Sequence, residues 1–179
     1  MADNIQGFIK ELAFEEALTH HLLDHGWNEV IKNPTEEQLV QNWADIIYDN
    51  NREIDKLGNY PLTASEMKQV MDQVNMKSSP YEMNRFINGK QVCIKRDNEA
   101  DTNNFGKDVY LKIFDPMEIS SGQSRYQIAR QPKFKTADSM LGDRRGDMML
   151  LINGMPVIHI ELKRVCCHEP PPFIFVAIS

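Results

Sequence analysis

Two acidic residues and a lysine stand at the two ends of an apolar stretch of the chain. Asp147 opens the stretch, and Glu161 and Lys163 close it. Side chains alternate between the two faces of a strand, so Glu161 and Lys163 point to one side and Leu162 points to the other, into the core. Asn-Gly-Met-Pro at 153–156 predicts a hairpin connection, slightly longer than the tightest turn. Such a hairpin brings Asp147 beside Glu161 and Lys163.

This trio of charged groups suits metal-assisted hydrolysis of a phosphate ester. Mg²⁺ takes oxygen ligands and commonly uses one or two protein carboxylates, with water and phosphate oxygens completing its shell. The ion polarises the phosphate and makes a bound water easier to deprotonate. Lys163 can position or deprotonate that water and can neutralise charge that develops in the transition state. The competing interpretation is a solvated strand face with a weak ion pair, which the apolar surroundings make less favourable.

The elements that must position the trio follow from hydrophobic periodicity. Helical spacing and a capping-box pattern predict helices over 8–25, 35–48 and from 63 or 65 to 74, with a short fourth helix from Pro80. Alternation and β-branched content predict strands over 91–95, 108–114, 126–134, 147–152 and 157–163. Because the predicted helices come first and the strands follow, the sequence predicts an α+β fold. Residues 1–90 are expected to be mostly helical. The sheet core then spans 91–163 and centres on the hairpin.

Length and composition set limits on the function. The 179 residues suit one domain with appendages, and no apolar run approaches the ~20 residues of a membrane span. Three cysteines without C-x-x-C spacing favour neither a zinc site nor a disulfide framework, which predicts a reducing, cytoplasmic compartment. The net charge of −6 argues against nucleic-acid binding, but residues 1–60 carry −8 and residues 125–164 carry +4. One basic face toward phosphates is therefore expected around the trio.

Residues 147–163 resemble the nuclease motif of the restriction subunit of type I restriction–modification enzymes, within the PD-(D/E)xK nuclease superfamily. That motif runs Asp, apolar strand, Asn-Gly-x-Pro, apolar strand, Glu-Leu-Lys, as this segment does. Phe14–Leu18 followed by Gly26-Trp27 is similar to the family's first helix, which carries a Glu. Tyr126–Gln131 is similar to the strand that precedes the motif. The resemblance extends loosely over residues 11–164.

The resemblance implies a restriction-endonuclease-like fold, with a central mixed sheet and flanking helices, and a Mg²⁺-dependent endonuclease that cuts double-stranded DNA. It implies metal binding by Asp147, Glu161 and the backbone carbonyl of Leu162, and catalysis by Lys163. Glu15 is the implied first-helix acid, with Glu16 as the weaker choice. Candidate DNA contacts lie in and next to the basic segment: Arg130, Lys133, Lys135, Arg144, Arg145 and Arg164.

The same resemblance implies partners, namely the modification and specificity subunits of a type I complex in a bacterial or archaeal cytoplasm. In that family an ATP-driven motor follows the nuclease domain. This chain has no G-x-x-x-x-G-K-[ST] motif, so ATP would act only through a motor absent from it. We therefore expect the chain to be the nuclease part alone.

The sequence departs from the family pattern at two places. Gly146 stands before the motif Asp where the family usually has Pro, and the prolines at 170–172 forbid the helix expected after Lys163. Residues 1–164 are thus assigned to the nuclease domain and 165–179 to an atypical tail, with a further strand suggested at 173–179. The tail keeps a second function open, a DNA-binding or assembly module without catalysis. His159, which shares the face of Glu161, serves either near the site or in packing.

Overall fold

A computed structural model describes residues 2–77, 79, 81–82, 86, 91–114, 124–135, 144–162 and 175–177, with the backbone alone for 2–11 and 175–177. The helices are α1 (Ala2–Asp24), α2 (Glu36–Asn50) and α3 (Ala64–Asn75). The strands are β1 (Glu29–Lys32), β2 (Gln91–Lys95), β3 (Asp108–Lys112), β4 (Tyr126–Arg130), β5 (Lys133–Phe134), β6 (Arg144–Arg145), β7 (Met148–Ile152), β8 (Met155–Glu161) and β9 (Phe175–Ala177). The short helix predicted from Pro80 falls mostly outside the described residues. None of the helices in the described ranges is both long and apolar enough to cross a membrane.

The main sheet belongs to the first of two compact units, which takes in the chain up to Gln38 and from Arg125 onward. Its strand order is β1-β4-β7-β8-β9. Strand β1 runs parallel to β4, whereas the other neighbouring strands are antiparallel. This confirms the α+β fold with a mixed sheet. The β7–β8 hairpin has a neighbouring strand on each side, and β9 falls within the stretch 173–179.

Helix α1 covers one face of this sheet with its apolar side. Its C-terminal half contributes Leu18, Leu22 and Leu23 to a core cluster built on Ile128, Met148, Leu150 and Ile160. The helix ends before Gly26, whose φ of 100° few residues other than glycine adopt readily. The Trp27 ring then packs edge-on against Tyr126 of β4, with 5.6 Å between the ring centroids. The first helix is thereby fixed against the strand that leads toward Asp147.

The turn between β7 and β8 is tighter than the sequence predicts. Asn153 (φ 51°) and Gly154 (φ 82°) alone form it, because Asn and Gly tolerate positive φ and so allow a two-residue hairpin turn. Met155 and Pro156 belong to β8 instead of the connection. The pairing shifts register next to Pro156, since proline has no N–H to donate to the ladder. Strand β8 therefore begins two residues earlier than expected.

Strand β1 is an element that the sequence does not predict. It is only four residues long and has no buried position, so its alternation is too weak to be seen. It forms because the end of α1 delivers the chain to β4, where the Asn28 N–H donates to the Tyr126 carbonyl at 3.0 Å. The first half of the chain is thus less purely helical than expected.

The second unit, Leu39–Ser124, contains the β2–β3 hairpin, and this differs from the predicted sheet core over 91–163. The two strands form a sheet of their own instead of joining the main one. Their inward-facing residues, Val92, Ile94, Val109 and Leu111, are fully or nearly buried, so this pair has its own apolar side. Helix α3 beside them begins at the capping box of Thr63 and Glu66. Strand pattern alone does not tell which sheet a hairpin joins.

Candidate active site

Asp147 lies immediately before β7, at the end of the β4–β7–β8 ladder. Its Oδ2 accepts a hydrogen bond from the Leu162 N–H at 2.5 Å, and its carbonyl accepts one from the Gln131 N–H at 2.8 Å. Met148 pairs with Ile160, so continuing that register by one residue places Asp147 opposite Glu161. The two acids predicted from sequence are therefore brought together at the end of the hairpin.

Glu161 is the accessible member of this pair, with 48% of its side chain exposed. Its Oε1 lies 3.1 Å from Nε2 of His159, which shares its face of β8. Lys163, the third member of the predicted trio, lies outside the described residues, as does Arg164. Within the described ranges, no three residues among His, Cys, Asp and Glu are close enough to hold a metal ion together. Among the described residues, a metal ion can therefore have at most two of these side chains as ligands. One or two carboxylates are enough for Mg²⁺.

Glu15 projects from α1 into a buried ion pair and is only 3% exposed. Its Oε1 accepts from Nε of Arg130 at 2.9 Å, and its Oε2 accepts from Nε2 of Gln131 at 2.9 Å. Both oxygens thus have a partner, which removes the cost of burying an unpaired carboxylate. The resemblance places this acid facing the metal. In the described part of the chain its carboxylate bonds to Arg130 and Gln131 and not to Asp147 or Glu161.

Arg130 forms ion pairs with both candidate acids of the first helix, Glu15 and Glu16. Its Nη1 donates to Oε2 of Glu16 at 2.5 Å while its Nε donates to Glu15. This hydrogen bond from Arg130 lowers the pKa of Glu16 below its ordinary value. Burial lowers the pKa of Arg130, but its hydrogen bonds with Glu15 and Glu16 outweigh burial and raise it. Arg130 is therefore engaged inside the protein, which makes it a weaker candidate for DNA contact.

Gln131 connects the Glu15 cluster to Asp147. Its side-chain amide holds Glu15, while its backbone N–H holds the carbonyl of Asp147. It does both at a φ of 52°, which is uncommon for a residue other than glycine. Sequence alternation along β4 cannot reveal this residue, because the positive φ turns its side chain away from the face that alternation assigns.

Beyond Asp147 the β4–β7 ladder continues into a short basic ribbon, defined here as β5 and β6. The Gly146 N–H donates to the Pro132 carbonyl at 2.9 Å, and Lys133 then pairs with Arg145 in the same antiparallel register. The exposed cations of the ribbon are Lys133, Arg144 and Arg145. Asp147 thus stands where the sheet ends and the ribbon begins.

Lys135 follows the ribbon and has a partner. Its ammonium group donates a hydrogen bond to Glu37, which lowers the pKa of Glu37 to about 2. Both groups are exposed, so the pair costs little to separate. Lys135 remains accessible to a phosphate that competes for it.

Comparisons of the sequence with known proteins identify the family of the chain. Residues 9–168 match the sequence model of the family described as type I restriction enzyme R protein N terminus. The chain belongs to this family. It is 33% identical over 155 residues to the type I restriction enzyme SsaAORF53P endonuclease subunit of Staphylococcus saprophyticus, and 29% identical over 154 residues to the SauMSSORF170P endonuclease subunit of Staphylococcus aureus strain MSSA476. Each match covers 86% of this chain but only 15% of the length of the curated relative.

The restriction-subunit family pattern and this chain differ at Gly146, and the structure gives a physical reason. A Cβ at this position would lie 2.9 Å from Nε2 of His159, closer than Cβ atoms approach other heavy atoms. A larger residue at 146 therefore requires the imidazole of His159 to move from its observed position.

Proposed function

We propose that the chain is the endonuclease domain of a type I restriction subunit and hydrolyses phosphodiester bonds of double-stranded DNA with Mg²⁺. It acts in the cytoplasm within a complex that includes modification and specificity subunits. The supporting observation is the pairing of Asp147 opposite Glu161 at one end of a buried hairpin. Relatives of this family named as endonuclease subunits match 86% of the chain.

The oxygen ligands come from Asp147, Glu161 and the backbone carbonyl of Leu162. Carboxylate and carbonyl oxygens are the donors that Mg²⁺ prefers. When bound, the ion polarises the scissile phosphate and lowers the pKa of a coordinated water. The Leu162 N–H fixes the Asp147 carboxylate, so its free oxygen keeps one orientation. Glu161 is half exposed and can approach the ion from solvent.

Sequence alternation predicts that the side chain of Lys163 points to the same side as that of Glu161. Its ammonium group orients the attacking water or stabilises negative charge on the phosphate in the transition state. Glu15 supports the site through Gln131, which anchors α1 to the backbone carbonyl of Asp147. We therefore assign Asp147, Glu161 and Lys163 to the reaction and Glu15 to the placement of Asp147.

The basic ribbon binds the DNA backbone next to the scissile phosphate. Arg144 and Arg145 directly precede Gly146, Lys133 pairs with Arg145, and the ribbon register leads directly to Asp147. Phosphate contacts fix position without reading sequence. This is consistent with a nuclease domain whose target is chosen by a separate subunit.

Cleavage by the assembled restriction complex tests this proposal. Asp147→Asn, Glu161→Gln and Lys163→Ala each abolish Mg²⁺-dependent cutting of plasmid DNA, whereas Asp108→Asn, an exposed acid of the second unit, leaves it unchanged. Cutting at the wild-type rate in all three variants would contradict the proposal. Salt-dependent DNA binding that needs no divalent ion, together with no cleavage by the wild-type complex, would identify the alternative of a non-catalytic module.

A further inference from the structure

We propose that Lys133 and Arg145 together bind one phosphate of the DNA backbone on one face of the basic ribbon, and that Arg144 is not part of this site. The inference rests on the proposed function, since the bound phosphate is the neighbour of the one to be cut. It goes beyond the general attraction of a basic ribbon for DNA, because it assigns two particular cations to one shared phosphate.

The two cations stand directly opposite each other across the ribbon. Lys133 pairs with Arg145, and Phe134 pairs with Arg144. Residues directly opposite in an antiparallel pair share a face of the sheet, whereas neighbours along a strand point to opposite faces. One face of the ribbon therefore carries both Lys133 and Arg145, while Arg144 lies on the other face with Phe134.

The type of pairing brings the two side chains close together. The Lys133 N–H donates to the carbonyl of Pro34 at 2.8 Å, so it is not used for Arg145. Lys133 and Arg145 are therefore a non-hydrogen-bonded pair, in which Cα atoms are typically about 4.5 Å apart, closer than in a hydrogen-bonded pair. At this separation a single phosphate can contact both cations.

The Arg145 side chain also reaches toward the Lys133 side of the ribbon. Its Nη2 lies 3.5 Å from Oδ1 of Asn33, just beyond the end of β1. Segment 33–35 borders β5, because Thr35 bridges to Lys133, so β5 lies between this segment and β6. Arg145 thus extends across β5, over the face that carries Lys133.

Neither cation of this pair is neutralised by an acid. Lys133 and Arg145 are exposed, and neither forms an ion pair with a carboxylate within the described ranges. By contrast, Arg130 and Lys135, which flank β5 along the chain, each have a glutamate partner. Like charges directly opposite each other destabilise a pair of strands. An anion bound between them relieves this repulsion, and phosphate is an anion that Arg and Lys both bind well.

The pair also lies next to the proposed cleavage centre. Arg145 is two residues before Asp147, so their Cα atoms are at most about 7 Å apart. Successive phosphates along one DNA strand are separated by a comparable distance. A strand whose scissile phosphate lies at Asp147 can therefore place the neighbouring phosphate at Lys133 and Arg145.

A double-mutant cycle for DNA binding tests the shared phosphate. Binding of the full chain to a short duplex is measured by fluorescence anisotropy in EDTA, so that no divalent ion takes part. Lys133→Ala and Arg145→Ala should each weaken binding about tenfold, because each removes a charge-assisted contact with the same phosphate. The double variant should weaken binding by less than about thirtyfold, well short of the roughly hundredfold loss expected for independent contacts.

Arg144 supplies the matched control, since it carries the same charge on the other face of the ribbon. Combining Lys133→Ala with Arg144→Ala should weaken binding by the product of the two single effects, within about twofold. Thermal melting verifies that each variant is folded.

Charge reversal gives a second measurement that does not need DNA. Lys133→Glu places a carboxylate opposite Arg145 and should raise the melting temperature by about 1–3 °C, because an opposite-charge pair replaces a like-charge pair. The same variant should bind the duplex more weakly than Lys133→Ala does. Arg144→Glu, which faces Phe134, should not raise the melting temperature.

Three results would each overturn the inference. They are a single variant at Lys133 or Arg145 that binds as the wild type does, a double variant whose loss equals the product of the single losses, and a Lys133→Glu variant no more stable than Arg144→Glu. The proposed function fails separately, if the assembled wild-type complex does not cut DNA with Mg²⁺. Non-additive binding without cleavage would support the phosphate site while contradicting the nuclease.

Discussion

Arg130 illustrates how a single residue can connect two elements through charge. Its guanidinium bonds to Glu15 and Glu16 of α1 from the end of β4. The expected DNA contact and the observed internal ion pair compete for the same group. The basic character of segment 125–164 is visible in the sequence, but which of its cations face the solvent depends on the acids that a distant helix places beside them.

Replacing Arg130 should be costly for stability. Arg130→Met leaves Glu15 buried with one partner fewer, and removing one member of a buried pair costs about 3–5 kcal/mol. Since the Arg130 side chain is 14% exposed, we expect a loss of about 2–3 kcal/mol in the free energy of unfolding. Urea denaturation measures it. Lys133→Met, an exposed cation nearby, should change the same quantity by less than about 0.5 kcal/mol, and equal losses would refute the buried-pair argument.

The Lys135–Glu37 contact gives a prediction in terms of pH. The hydrogen bond from Lys135, together with those from the Glu37 backbone N–H and from Thr35, lowers the pKa of Glu37 from 4.5 to about 2. These contacts stabilise the fold above pH 4.5, and this contribution disappears as the pH falls toward 2. Lys135→Ala should raise the pKa of Glu37 part of the way back toward 4.5, because the other two hydrogen bonds remain. Carbon-detected NMR titration of the Glu37 carboxyl measures it. A pKa that stays near 2 in the variant would show that another group sets it.

At the scale of elements, the sequence predicts the hairpin, α2, α3 and most of α1. It does so because their apolar periodicity and their caps are local signals. Strand β1 is missed because four residues without a buried position carry no period, and it pairs with β4 across almost a hundred residues. The proximity of Asp147 to Glu161 can be predicted from the hairpin alone. The hydrogen bond from Gln131 to Glu15 cannot, because it depends on the positive φ of Gln131 and on how α1 packs against the sheet.

The basic ribbon should determine how DNA binding depends on salt. Each phosphate contact contributes about 0.9 to the slope of log K against log salt concentration. Changing Lys133, Arg144 and Arg145 together to Ala should reduce this slope by about 2–3 and weaken binding to all sequences equally. Fluorescence anisotropy with two unrelated duplexes measures both. A triple change of Lys68, Lys95 and Lys107, exposed in the second unit, removes the same charge and should alter the slope by less than about one.

At the scale of the molecule, each of the two units has its own stabilising centre. In the second unit Arg96 is fully buried between Glu66, at 2.6 Å, and Asp101, at 3.0 Å, and it also donates to the Tyr60 carbonyl at 2.5 Å. This network ties the start of α3 to the loop after β2. Composition alone predicts one domain, because the charged residues of the second centre, from Glu66 to Asp101, lie far apart in the sequence.

That network makes the second unit sensitive to acid. Burial raises the pKa of Asp101, but its hydrogen bonds with Arg96 and Asn104 outweigh burial and lower it below 3.8. The stabilisation is therefore complete above pH 3.8 and is lost as the pH falls below that value. Asp101→Asn should lower the free energy of unfolding by about 2 kcal/mol at pH 7, and this difference from the wild type should shrink below pH 3.8. Denaturant unfolding across pH measures it, with Asp108→Asn as the exposed control, and a difference that is constant across pH would contradict it.

The uninterrupted ladder from β4–β7 into the basic ribbon has a mechanical consequence. The Gln131–Asp147 and Gly146–Pro132 hydrogen bonds belong to the same row as the pairing of Lys133 with Arg145. A force on the ribbon is therefore transmitted along this row to the backbone of Asp147 without passing through a flexible joint. Anything that clamps the ribbon stiffens the strand end beside it, and amide hydrogens at 131 and 146 should exchange more slowly together. Under the proposed function, DNA bound to the ribbon would therefore also hold Asp147 in place.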